Sequence, residues 1–110
     1  MIGGIIVGPD QVPSNSVLVR AIGPSLGGVG VTNPLADPFL ELRDGNGDLI
    51  VSNDNWKSTQ QAEIEATGIP PNDDKESAII ADLVAGNYTA IVRGVGETTG
   101  VGLVEAYHLD

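Results

Sequence analysis

The chain contains no cysteine, which excludes disulfides, thiol catalysis and thiolate metal sites while leaving the compartment open. Aromatic residues make up only 4% of it, so its core has to be built from Val, Ile, Leu and Ala. Basic residues are scarce too. Arg20, Arg43, Lys57, Lys75 and Arg93 stand singly against 15 acidic residues, for a net charge of −10. A phosphate-binding surface needs clustered Lys and Arg, so nucleic acid is not an expected partner, and an anionic membrane surface is disfavoured for the same reason. No apolar run approaches the length of a spanning helix, so no membrane insertion is expected. Residues 1–7 are too short, and lack the basic start, for a signal peptide; if the parent protein is secreted, this chain is a piece of it.

Glycine and proline are plentiful instead, at 15 and 7 of 110 residues, and hydrophobic content is 41%. That balance favours many short strands and turns within one domain over residues 1–110, large enough for a two-layer core. The organising stretch is residues 39–56, FLELRDGNGDLIVSNDNW. Leu40 and Leu42 alternate with Glu41 and Arg43, the period of a strand with one wet face. Asp44-Gly45-Asn46-Gly47-Asp48 supplies the positive φ of a hairpin turn, and Leu49-Ile50-Val51 resumes the strand. Trp56, the single tryptophan, is read as a large apolar plug at that end.

Further strands are expected at residues 2–7, 16–22, 77–84, 88–93 and 101–109, with turn chemistry between them. Residues 8–15 read as a turn and loop. In residues 16–22 Val17, Val19 and Ala21 face one way and Leu18, Arg20 and Ile22 the other; Arg20, among apolar neighbours, should pair with a carboxylate. Residues 23–38 form a long glycine- and proline-rich loop whose Leu26, Val29, Val31 and Leu35 should pack it down. Ser58 and Gln61 have the spacing of a capping box opening one short helix near 58–67, closed by Gly68. Tyr88, just after a glycine-containing corner, can return its hydroxyl to nearby backbone as in a tyrosine corner. The sum is an all-β antiparallel sandwich, jelly-roll or immunoglobulin-like, of seven to eight short strands and one helix.

The ordered set LELRDGNGDLIVSNDNW (40–56) and SAIIADLVAGNYTAIV (77–92) resembles the bacterial pre-peptidase C-terminal domain. VLVRAIGPSL (17–26), LADP (35–38) and GVGLVEAY (100–107) resemble a repeat of about this length in large bacterial secreted proteins. The resemblance implies an extracellular or cell-surface β-sandwich that accompanies other domains without catalysis of its own. Some members of such families bind calcium or polymers such as polysaccharide or collagen.

Several motifs invite chemistry. Asp44, Asn46 and Asp48 alternate as oxygen ligands do in a calcium loop, with Asp54, Asn53 and Asp37 available to complete a cage. An EF-hand is excluded, because Leu49 replaces its glycine and no glutamate closes the loop. The plain alternative is a solvated acidic turn. Gly23-Pro24-Ser25-Leu26-Gly27 matches a nucleophile elbow, but the glycines that follow prevent the helix it needs, and His108 is the only histidine. Glu63 with Glu65, and Asp73 with Asp74, read better as solvated charge than as glycosidase pairs. Residues 94–100 (GVGETTG) lack the spacing of a dinucleotide fingerprint. Asn87-Tyr88-Thr89 is a formal glycosylation sequon, silent in a bacterium.

The expected function is therefore non-catalytic. The chain would serve as a repeat or filament subunit, docking on copies of itself or on neighbouring domains through edge strands and ends. Gly3, Gly4, Ile5, Ile6 and Val7 form the segment expected to dock or close a sheet. The alternative is a calcium-dependent module binding polysaccharide or a collagen-type fibrous protein.

Overall fold

The computed structural model describes residues 2–7 and 16–109; the loop expected over 8–15 lies outside the described residues. Among the described residues there are seven strands: β1 (Ile2–Val7), β2 (Ser16–Ile22), β3 (Pro38–Arg43), β4 (Leu49–Asn53), β5 (Ser77–Asp82), β6 (Gly86–Gly94) and β7 (Leu103–His108). One sheet has the order β1-β6-β3-β4 and the other β5-β2-β7, and every pairing between these strands is antiparallel. This is the antiparallel all-β sandwich that the strand and turn periodicities predict.

Alternation places the core. Val17, Val19 and Ala21 of β2 meet Leu40 and Leu42 of β3, Tyr88, Ala90 and Val92 of β6 and Ile79 of β5 between the sheets. The odd-numbered face of β2 serves that interior, and its even-numbered face serves another. Leu18 packs with Ala78, Trp56 and Ile64 on the outside of the three-stranded sheet. The segment from Trp56 to Ile69 lies over that face, including a 3₁₀ turn (Trp56–Ser58) and α1 (Gln61–Ala66). β2 is therefore apolar on both sides, as its near-continuous hydrophobic run requires. Trp56 is a plug, but of this outer core rather than of the end of its own hairpin.

Local expectations hold where the chemistry is local. Gly68 takes φ +80°, the left-handed conformation that ends a helix without a Cβ penalty. The Tyr88 hydroxyl donates to the Val84 carbonyl at 2.6 Å. The capping box does not form. Ser58 Oγ instead donates to the Asn55 carbonyl, and α1 starts three residues later with no side-chain cap at Gln60. Gln60 is occupied elsewhere: its amide donates to the Ile80 carbonyl at 3.1 Å and accepts from the Ile80 N–H at 2.9 Å. A tertiary contact to a strand edge has outcompeted a local cap. In the 23–38 loop a 3₁₀ segment (Pro24–Val29) appears, and only Leu35 of the four apolar residues is buried; Val29 is 78% exposed.

Candidate functional site

The serine elbow is dismantled by its partners. Glu76 is fully buried, and its carboxylate is met by four uncharged donors. One oxygen accepts from the N–H groups of Gly23 and Ser25, at 2.9 and 2.8 Å. The other accepts from Ser25 Oγ at 2.7 Å and the Asp73 N–H at 3.1 Å. Ser25 is thus a strut that holds the turn after β2 to the start of β5. His108 is opposite Val17, whereas Ser25 lies beyond Ile22 at the other end of β2. Most of a strand, roughly 17 Å, separates them.

The four proposed calcium ligands divide between two ends of one hairpin. Asp44 Oδ1 accepts from the N–H groups of Asn46 and Asp48, at 2.9 and 3.0 Å, so this carboxylate is engaged in shaping its own turn. Arg43 stands opposite Leu49 and Leu40 opposite Asn53, so Asp54 falls at the far end of the ladder, roughly 15 Å away. An antiparallel hairpin necessarily carries residues well past its turn back toward its beginning. Asn53 is not available as a ligand either: its Oδ1 accepts from the Ala78 N–H at 3.1 Å and its amide donates to the Asn55 carbonyl. Glu63 and Glu65 are exposed on α1. Among the described residues no group of three or more Asp, Glu or His side chains converges as a metal site.

Asp54 does have a neighbour, Asp37, just before β3. Each has one carboxylate oxygen that is buried without a hydrogen-bond partner among the described residues. Partial burial, then the charge of Asp37 and a hydrogen bond with it, hold the Asp54 carboxyl above its ordinary 3.8. These causes all disfavour the ionised form of Asp54. Asp54 lines a groove of about 550 Å³ between the end of β6 and the turn that follows. Phe39 and Arg93 form one wall, the guanidinium 4.9 Å from the ring centroid. Arg93 and Arg43 both reach Glu41, which is buried between them at 3.2 and 3.3 Å. The opposite wall is the 3₁₀ turn Val95–Glu97, tied down by the Val95 N–H donating to the Asp37 carbonyl at 2.9 Å. Gly96 and Glu97 take φ +67° and +63°, and for a glutamate that is a strained conformation.

Of the residues expected to be structural, Arg20 donates to Glu105, to the Ile69 carbonyl at 3.1 Å and to the Tyr107 hydroxyl at 3.0 Å. Trp56 is buried with its indole N–H lacking an acceptor among the described residues. Gly3, Gly4, Ile5, Ile6 and Val7 all lie in β1, paired with β6 at the edge of the four-stranded sheet. The residues alone place Glu76 at the end of an exposed acidic loop over 69–76, where the structure buries it, and they give Gln60 no distant partner. Their distant partners, Gly23 and Ser25 for Glu76 and Ile80 for Gln60, lie 20 or more positions away, so no local spacing marks them. Comparison of the chain with protein-family models, with curated proteins and with solved structures returns no match.

Proposed function

We propose that this chain is a non-catalytic structural and adhesive module of a bacterial extracellular or cell-surface assembly. It joins copies of itself or neighbouring domains through sheet edges and sandwich ends. The supporting observation is how unevenly the edges are treated. On the β4/β5 flank, side chains of Asn53 and Gln60 bond the backbone of Ala78 and Ile80 and so cover the outer edge of β5. The opposite flank presents β1 and β7. Among the described residues β5 is capped by side chains and β1 is not, and this asymmetry suits a strand-adding module, since a capped edge prevents unwanted pairing and an uncapped one permits it. The resemblance to pre-peptidase C-terminal domains and secreted repeats points the same way.

Labelling intact source cells with a membrane-impermeant amine reagent tests the placement, because Lys57 and Lys75 are both exposed. Recovery of the labelled chain from unbroken cells or medium is the expected result. Labelling only after lysis overturns the reading.

The Asp37–Asp54 pair favours a second reading, a calcium-dependent module for polysaccharide or a fibrous protein. Its unpartnered oxygens suit a hard cation, with Asp54 and Asp37 as ligands in place of the hairpin turn. Calcium that binds the native state must raise the melting temperature. A rise at millimolar calcium that vanishes in Asp54→Asn supports this reading, and an unchanged melting temperature rejects it.

A further inference from the structure

The four strand edges of the sandwich differ in what guards them. β5 is covered by Gln60 and Asn53. β4 carries a bulge, because Leu42 pairs with Val51 and Arg43 with Leu49, leaving Ile50 as the extra residue, and Asp48 and Asp54 flank it. β7 carries Glu105 and His108. Among the described residues β1 has none of these devices. It contains no charged residue and no proline, and keeps unbroken register with β6 over all six residues. Bulges, edge charges and side-chain covers are how sheets prevent pairing with another chain, so their absence at β1 is informative.

The outer face of β1 has a further property. Ile5 packs toward the core, so Gly4 and Ile6 point outward. Ile6 is 83% exposed, and a side chain built on Gly4 would meet nothing within 4 Å. A knob and a hole thus lie two residues apart on one strand. When an antiparallel strand pairs with its own copy so that Ile5 faces Ile5, residue 4 of each copy lies opposite residue 6 of the other. Each exposed isoleucine then covers the bare glycine of its partner, twice about one axis.

We propose that β1 is a self-pairing edge: two copies of this chain join β1 to β1, antiparallel about a two-fold axis centred on Ile5. The four-stranded sheet of each copy continues into that of the other. This rests on the structural-module reading above and names its partner. The register selects a second copy as the occupant, because an identical antiparallel strand sets residue 6 against residue 4 on both sides of the axis. Two chains of net charge −10 repel, and a joint between them is best placed where neither contributes a charge, which is β1. A two-fold joint also closes, whereas pairing β1 with a different edge propagates into a filament.

The test is sedimentation velocity of the full chain over a range of concentration and salt. The expected result is a closed dimer that tightens with added salt as the repulsion is screened. Ile6→Glu, at an exposed position, is expected to weaken the dimer on the order of tenfold through two equivalent cross-strand pairs. The double variant Gly4→Lys with Ile6→Glu should restore it, because each introduced lysine then faces the introduced glutamate of the other copy. Circular dichroism confirms that each variant is folded. A wild-type monomer at millimolar concentration, a dimer indifferent to Ile6→Glu, or failure of the double variant to rescue overturns the proposal. Open-ended polymers also overturn it, while leaving the structural-module reading intact; that reading fails separately, by the cell-labelling result.

Discussion

Replacing Glu76 by Gln removes one charge and changes one atom, at a site whose geometry allows the consequence to be worked out. The amide oxygen of the variant can stay where two N–H groups, of Gly23 and Ser25, already point. Its NH₂ then takes the other position. Ser25 Oγ can rotate to accept from it, but the Asp73 N–H cannot change role and is left facing a donor. One buried donor without a partner costs about 1–3 kcal/mol. Unfolding entropy of about 2.1 cal/mol/K per residue converts this to a fall in melting temperature of roughly 4–13 °C for a chain this size. Glu76→Ala, which abandons all four donors, should cost more, on the order of 4 kcal/mol. Ser25→Ala deletes one donor and should cost about 1 kcal/mol. Differential scanning calorimetry of the three variants should find Glu76→Ala melting lowest, Glu76→Gln next and Ser25→Ala nearest to wild type. A Glu76→Gln protein melting within about 1 °C of wild type would refute the reasoning, since it would mean that the donors find water or each other at no loss.

Other substitutions probe other links. Tyr88→Phe leaves the ring in place but takes the donor from the Val84 carbonyl, and urea denaturation should record a loss of about 1 kcal/mol. Gly94→Ala would put a Cβ onto the carbonyl and hydroxyl of Thr98, so a loss of about 1–3 kcal/mol and an altered groove are expected by denaturation and NMR. Asp54→Asn should stabilise the metal-free protein at neutral pH. A carboxyl held above its ordinary value penalises the fold once ionised, fully at pH values above the folded-state pKa and not at all below 3.8. In EDTA the variant should therefore melt above wild type at pH 7, and that advantage should shrink as the pH falls into the acid range; a constant difference across pH would contradict it.

The strands, their faces and several of their ends were legible in the residues alone, because they depend on short-range sterics. A side-chain period of two assigns Val17, Val19 and Ala21 to one face of β2 wherever that strand lies. Gly68 must end the helix because a left-handed position costs glycine least. The Tyr88 hydroxyl reaches a carbonyl only four residues back. Where side chains could choose between a local and a distant partner, the residues alone misled. Ser58 and Gln61 have the spacing of a helix start, but Ser58 bonds the Asn55 carbonyl and the neighbouring Gln60 bonds the edge of β5. Val29 looks like loop packing and lies in solvent.

The amino-acid sequence by itself determined that this chain is a glycine-punctuated set of short alternating strands with an acidic exterior. Only the tertiary structure decided which edge side chains cover, that Asp54 meets Asp37 and not Asp44, and that Glu76 gathers four donors in the interior. The reason is range. Strand and turn preferences are settled within a few residues, whereas the cradle of a buried carboxylate or the cover of a strand edge exists only once residues 20 to 53 positions apart have closed on each other.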